Sequence, residues 1–183
     1  MQMVTVYRYY GGKLMGEMHM LRAGFAALGL AAVLLGASPA RAAGVEKTQV
    51  LYQASVGEKI GATRDMLVSA LEGRNYTIIN QLDVQEGLAG RGIKAGPIML
   101  VEFINLAKAF RITRSNHGFE MFAPLRLALF EEEGKTRVMV LRPRYIGAIL
   151  ASEGGLSAEA KNTLEEFDKD IHAILESAAA GGF

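Results

Sequence analysis

The sequence predicts an α+β domain. It has a single, mostly antiparallel sheet of about five strands in the order β-α-β-β-(short α)-β-β-α, with the long helices on one face. Three observations lead there. Apolar residues alternate with polar ones at 50–56, 76–84 and 121–131, the period of a half-buried strand. The spacing changes to threes and fours at 60–72 and 157–178, the period of an amphipathic helix. Finally, Glu132-Glu133-Gly134-Lys135 links two apolar runs as a hairpin turn does.

The N-terminal segment lies outside this domain. Arg22 precedes an uncharged stretch from Ala23 to Ala37, and Ser38-Pro39 leads into Ala40-Arg41-Ala42. A basic flank, a short apolar core and an A-x-A site together describe a secretory signal peptide over 1–42, cleaved after Ala42. Its core falls short of the roughly 20 residues a membrane span needs, although retention as an uncleaved anchor is the alternative. Residues 1–14 lengthen the basic region without serving the signal, and Met15, Met18 and Met20 are alternative initiators, so a start assigned too early is expected. A precursor whose N-terminal sequence began at Met1 would reject that expectation.

The domain then runs from 43 to 183, is periplasmic, and has no stable membrane span once the signal is cleaved. Removing the first 42 residues takes four basic side chains and one acidic, so 20 and 19 become 16 and 18, a formal charge of −2. A slightly acidic domain has no general attraction for nucleic acid, and none is expected as a partner. With no cysteine there is neither a disulfide framework nor thiolate chemistry.

Taken in order, Gly44–Thr48 reads as an unstructured leader. Val50, Tyr52, Ala54 and Val56 form the inward face of the first strand. A helix follows over 60–72, with Ile60, Met66, Leu67, Ala70 and Leu71 as its stripe and Gly73 as its left-handed terminus. The strand 76–84 places Tyr76, Ile78, Leu82 and Val84 inward. Glycines 87, 90, 92 and 96 then mark a turn-rich break with room for one helical turn; they match neither phosphate-binding glycine spacing.

Strand 97–104 is apolar on both faces apart from Glu102, the pattern of a central strand at least partly covered on each side. Asn105 stands where a helix needs an N-cap. The short helix 106–112 would turn Leu106, Ala109, Phe110 and Ile112 inward and Lys108, Arg111 and Arg114 to water. In strand 121–131, Ala123, Leu125, Leu127 and Leu129 oppose Phe122, Pro124, Arg126, Ala128 and Phe130, and Pro124 belongs at its start or at an edge. After the hairpin and the strand 136–142, residues 145–155 read as a packed loop. Ser157 caps a final helix whose stripe is Ala160, Leu164, Phe167, Ile171, Ile174 and Ala178.

Glu102-Phe103-Ile104-Asn105-Leu106-Ala107-Lys108-Ala109, then Ala123-Pro124-Leu125-Arg126-Leu127 and a strand–acidic turn–strand, resemble the family called domain of unknown function 302. The resemblance covers about residues 50–142. It implies a small α+β domain, often exported in bacteria and dimeric as a candidate assembly, and it implies no established reaction. Relatives often carry cysteines where this chain has Ile104 and Leu125, so any thiol-based role is absent here.

The candidate ligand-binding residues are Glu102, Arg126, Asn105 and His117. Glu102 and Arg126 each interrupt an apolar strand, and a charge buried alone is costly, so each needs a partner. Their plain reading is a structural ion pair; the functional one is an anchor for a polar ligand. Asn105 is in the first place a cap, and His117 a residue of the polar turn Asn116-His117-Gly118. Lys108, Arg111, Arg114 and His117 form a basic patch whose simplest reading is a solvated face. His172 faces water on the last helix, and no serine sits in a nucleophile elbow.

No catalytic residue, metal ligand or cofactor is assigned. The sequence leans toward a non-enzymatic domain that binds a small molecule or a protein partner, with a homodimer through an exposed sheet face or edge as a candidate. The alternatives are an accessory enzyme or redox-linked factor needing an unseen cofactor, and a purely structural interaction module.

Overall fold

In the computed structural model, residues 44–181 are described. The proposed signal peptide, its cleavage site after Ala42 and the early start lie outside them. The elements are β1 (Val45–Lys47), β2 (Leu51–Val56), α1 (Ile60–Glu72), β3 (Thr77–Asp83), α2 (Val84–Ala89), β4 (Ile98–Ile104), α3 (Leu106–Thr113), a 3₁₀ turn (His117–Met121), β5 (Leu125–Glu132), β6 (Lys135–Leu141), α4 (Pro143–Glu153) and α5 (Ala158–Ala179). The strands form one sheet in the order β1-β2-β6-β5-β4-β3, antiparallel at every pairing.

Strand alternation builds the core. Tyr52, Ala54 and Val56 on β2, Val101 and Phe103 on β4, Leu125, Leu127 and Leu129 on β5, and Val138 and Val140 on β6 are all buried. Leu67, Ala70 and Leu71 from α1 and Phe167, Ile171, Ile174 and Leu175 from α5 join them in one cluster. Each large apolar side chain so covered contributes about 1.5–3 kcal/mol. The opposite sheet face carries half-exposed residues: Ile98, Leu100, Glu102 and Ile104 on β4, Ala128 and Phe130 on β5, Met139 and Leu141 on β6.

Local chemistry sets the element ends. Ser157 Oγ accepts from the Ala160 amide at the start of α5, and Asp83 accepts from Glu86 at the start of α2. The β5–β6 hairpin turns through Glu133 (φ 52°) and Gly134 (φ 74°), the paired positive φ that suits the twist of a two-residue loop.

Several elements differ from the sequence expectation. Residues 45–47 are not a leader but an edge strand, pairing Val45 with Ala54 and Lys47 with Tyr52. Three residues carry too little pattern to announce a strand; pairing with β2 makes one. The segment after residue 142 is the helix α4 rather than a loop, because Pro143 occupies its first turn, where a missing amide proton costs nothing. Helix α4 lies close on α5: a Cβ on Gly147 would come within 3.1 Å of Leu164 Cδ1.

Gly73 is right-handed (φ −60°), and the left-handed residue is Asn75 (φ 61°). From there the Tyr76 amide reaches back to the Leu71 carbonyl, 3.1 Å away. On β3, Ile78 pairs with Phe103 but Asn80 with Glu102, so Ile79 is an extra residue in the ladder. The bulge reverses the faces beyond it, and Leu82 points to the open side opposite Leu100. On α3, Leu106 and Phe110 are 65% exposed rather than inward, while Ala109 and Ile112 are buried.

Candidate functional site

Alternation along β4 and β5 puts Glu102 and Arg126 on the open face, and antiparallel register sets them directly opposite each other. Arg126 donates from Nε (3.1 Å) and Nη2 (2.6 Å) to a single carboxylate oxygen, Glu102 Oε1. That arrangement leaves Oε2 of the acid and Nη1 of the guanidinium for solvent or a ligand. The Arg126 side chain is 57% exposed and that of Glu102 22%. A pair so screened adds only about 0–1 kcal/mol, so stability gives little reason for it.

The pair forms one wall of an open cavity of about 370 Å³, whose other walls are Met121, Phe122, Ala123, Pro124, Leu125 and Leu141. Across the ridge of Met121 and Phe122 lies a second hollow of about 540 Å³, bounded by Asn116, Ile149, Leu150 and Glu153 among others.

The other two candidates are not part of this cavity. Asn105 is buried, and both ends of its amide are used: Oδ1 accepts from the Lys108 amide and Nδ2 donates to the Asn75 carbonyl. It locks the start of α3 to the end of α1. The His117 side chain is 87% exposed at the start of the 3₁₀ turn, with Nδ1 3.6 Å from Glu120. Of the four, the structure brings together Glu102 and Arg126 alone.

A second charged constellation lies on the helix side of the sheet. Tyr52 donates from its hydroxyl to Asp168 Oδ2 at 2.6 Å, and Arg142 Nη2 reaches the same oxygen at 3.2 Å. Asp168 Oδ1 accepts from the Arg144 amide at 3.3 Å, and Arg142 Nη1 donates to the Thr48 carbonyl at 2.8 Å. The Arg142 guanidinium also lies over the Tyr52 ring, 4.8 Å from its centre.

Burial alone would raise the Asp168 pKa. The hydrogen bonds from Tyr52, Arg142 and the Arg144 amide, with the Arg142 charge, outweigh it and hold the acid below its ordinary value. Tyr52 is pushed up to about 12, by burial first and then by its bond to Asp168. Two residues along α5, Asp170 accepts from Tyr76 (3.0 Å) and pairs with Lys108 (2.6 Å), whose ammonium sits 5.5 Å from the Phe167 ring centre. Lys108 is therefore drawn under α5 instead of facing water. His172 is likewise half-buried, its ring 5.0 Å from that of Tyr52.

Sequence reasoning missed this network, although a signal existed. Asp168 lies four residues after Leu164 and three before Ile171, on the flank of the apolar stripe of α5. A carboxylate there raises the same question as Glu102 in its strand. Among the described residues, no three histidine, cysteine or acidic side chains gather as a metal site would require.

The model of the Domain of unknown function DUF302 family matches residues 52–174, two thirds of the chain. The chain belongs to the DUF302 family. The match extends beyond the expected 50–142 to take in α4 and most of α5. Among solved structures, the fold is similar to the crystal structure of an uncharacterised conserved DUF302 protein from Bacillus stearothermophilus. The TM-score is 0.62 at 21% identity, covering 70% of this chain and 97% of that one. At that identity the likeness concerns the DUF302 fold. No curated protein matches the chain. Among the described residues, no helix is long and apolar enough to cross a membrane.

Proposed function

We propose that this DUF302 domain is an exported, periplasmic, non-enzymatic module that binds a small polar molecule in the cavity beside Glu102 and Arg126. The observation that carries the reading is a weakly stabilising ion pair set in the wall of an otherwise apolar hollow, with an acceptor and a donor left over. A ligand suited to it carries a donor next to an acceptor, as a zwitterion does, and a short apolar part to lie on Phe122 and Leu141. Export is supported by the signal-like segment 1–42 of the sequence.

The test is an NMR titration of the protein with a panel of amino acids and dipeptides. Saturable shifts centred on Glu102, Phe122 and Arg126, abolished in Glu102→Gln and Arg126→Ala, are expected. Shifts that persist in both variants would remove the site. Cell fractionation checks the location, and a protein retained in the cytoplasm would end that part of the proposal.

A second reading, assembly of two copies, has its own support. Leu82, Leu100, Ala128 and Met139 stand opposite one another across four strands on the open face. Such a row gives a second copy an apolar surface to cover. Leu82→Lys should then shift sedimentation from dimer toward monomer; a wild-type chain monomeric at all concentrations rejects this reading.

A further inference from the structure

On the helix side of the sheet, where β1 meets the start of α4, lies an open cavity of about 290 Å³ lined by Lys47, Gln49, Arg142, Arg144, Tyr145 and Ala148. We propose that it binds the oxyanion head group, phosphate or carboxylate, of a small ligand.

The charge balance is the first argument. Three cations line the cavity, and the carboxylate that touches this set is Asp168, committed to Arg142 and Tyr52. Lys47 lies over the Tyr52 ring, 5.8 Å from its centre, and among the described residues no carboxylate is in ion-pair distance of Lys47 or of the Arg144 side chain. Arg144 and Ala148 also border a neighbouring hollow holding Glu165 and Lys161, whose opposite charges offset each other. The cavity thus keeps two uncompensated positive charges, with an amide and a phenol as further donors.

The second argument is Arg142 itself. It is 6% exposed, yet it lines the cavity, and its Nε has no hydrogen-bond partner. A buried donor left unused carries a desolvation cost, so this guanidinium is incompletely satisfied by its protein partners. The third is the local sequence. The first turn of α4 carries Arg144 where acids are the favoured residues, and it has no carboxylate of its own. The amides of that turn are already occupied, Arg144 by Asp168 and Tyr145 by the Arg142 carbonyl. Side chains, then, would hold the anion. A guanidinium fork and a mobile ammonium suit phosphate and carboxylate oxygens alike.

The site is separate from the Glu102–Arg126 cavity, on the other face of the sheet, and the two stand or fall apart. The experiment is an NMR titration of the protein with inorganic phosphate, then with malonate, at ionic strength held constant by sodium chloride. Saturable shifts at the amides of Lys47, Gln49, Arg144 and Tyr145, with a midpoint on the order of 1 mM, are expected. Lys47→Gln combined with Arg144→Gln should weaken binding by about tenfold or more, while Glu102→Gln leaves it unchanged. Neither substituted side chain bonds Asp168, so the variant should keep a melting temperature close to wild type; Lys47→Glu alone is the second variant. Binding of either oxyanion supports the site, and the tighter one identifies the head group. Shifts that merely track chloride, or a double variant that titrates like the wild type, overturn it.

Discussion

Two charged constellations sit on opposite faces of one sheet, and they differ in what surrounds them. Glu102 and Arg126 meet on the open face, where both side chains remain partly exposed to solvent. Tyr52, Asp168 and Arg142 meet beneath α5, where Asp168 must satisfy a phenol, a guanidinium and an amide with two oxygens. The same chemical types therefore have different energetic weights. In the open pair either partner can return to water. In the buried network the loss of one member strands the others in a poorly solvating interior. Weak coupling suits the proposed ligand surface; strong coupling suits a joint that anchors α5 to β2 and to the residue between β6 and α4.

The sharpest way to break the comparison is to remove Asp168. Asp168→Ala leaves Arg142 charged and buried without its counter-ion, and unfolding free energy in urea should fall by about 3–5 kcal/mol. A loss no larger than that of Arg126→Ala would show that the buried network is not a structural joint. Tyr52→Phe should cost less, about 1 kcal/mol, because Asp168 keeps Arg142 and the ring keeps its packing.

Within the buried network, titration moves Asp168 and Tyr52 in opposite directions. Asp168 ionises more readily in the folded chain than at its ordinary 3.8, so as pH falls the unfolded chain takes up the proton first. Its stabilisation is present above about 3.8 and is lost as pH drops through the lower folded value. Tyr52 behaves in the opposite sense: its contribution is complete below 10 and disappears as pH rises through about 12. Denaturation profiles of wild type and Asp168→Asn should therefore converge at acid pH, and a constant gap across that limb would refute the assignment. The smallest effect belongs to the open pair. Glu102→Gln and Arg126→Ala should each change stability by no more than about 1 kcal/mol, however strongly they affect binding.

How much was legible in advance follows the same division. The meeting of Glu102 with Arg126 could be anticipated because both break an apolar alternation in neighbouring strands, and strand period alone puts them on one face. Asn105 was legible as a cap because capping is local, and its second bond, to Asn75, was not, because that partner lies thirty residues away. Lys108 was misplaced, and Asp168 passed over, on the same ground. A long side chain at the edge of a helix stripe turns inward or outward according to what the neighbouring element offers.

Leu82 shows how one inserted residue defeats a period-two reading. The alternation through 76–84 is regular, but the bulge at Ile79 moves everything after it to the other face.

The sequence by itself determined the α+β class, the limits of α1, the inward face of β2, the two opposing faces of β5 and the capped start of α5. These depend on periodicities and caps that a chain carries within a few residues of itself. Only the tertiary structure decided that residues 45–47 become an edge strand, that α4 lies where a loop was expected, and that α5 covers one pair of opposite charges and not the other. Those outcomes depend on pairing and burial between distant segments, and the free energy of a charge is set by what finally closes over it.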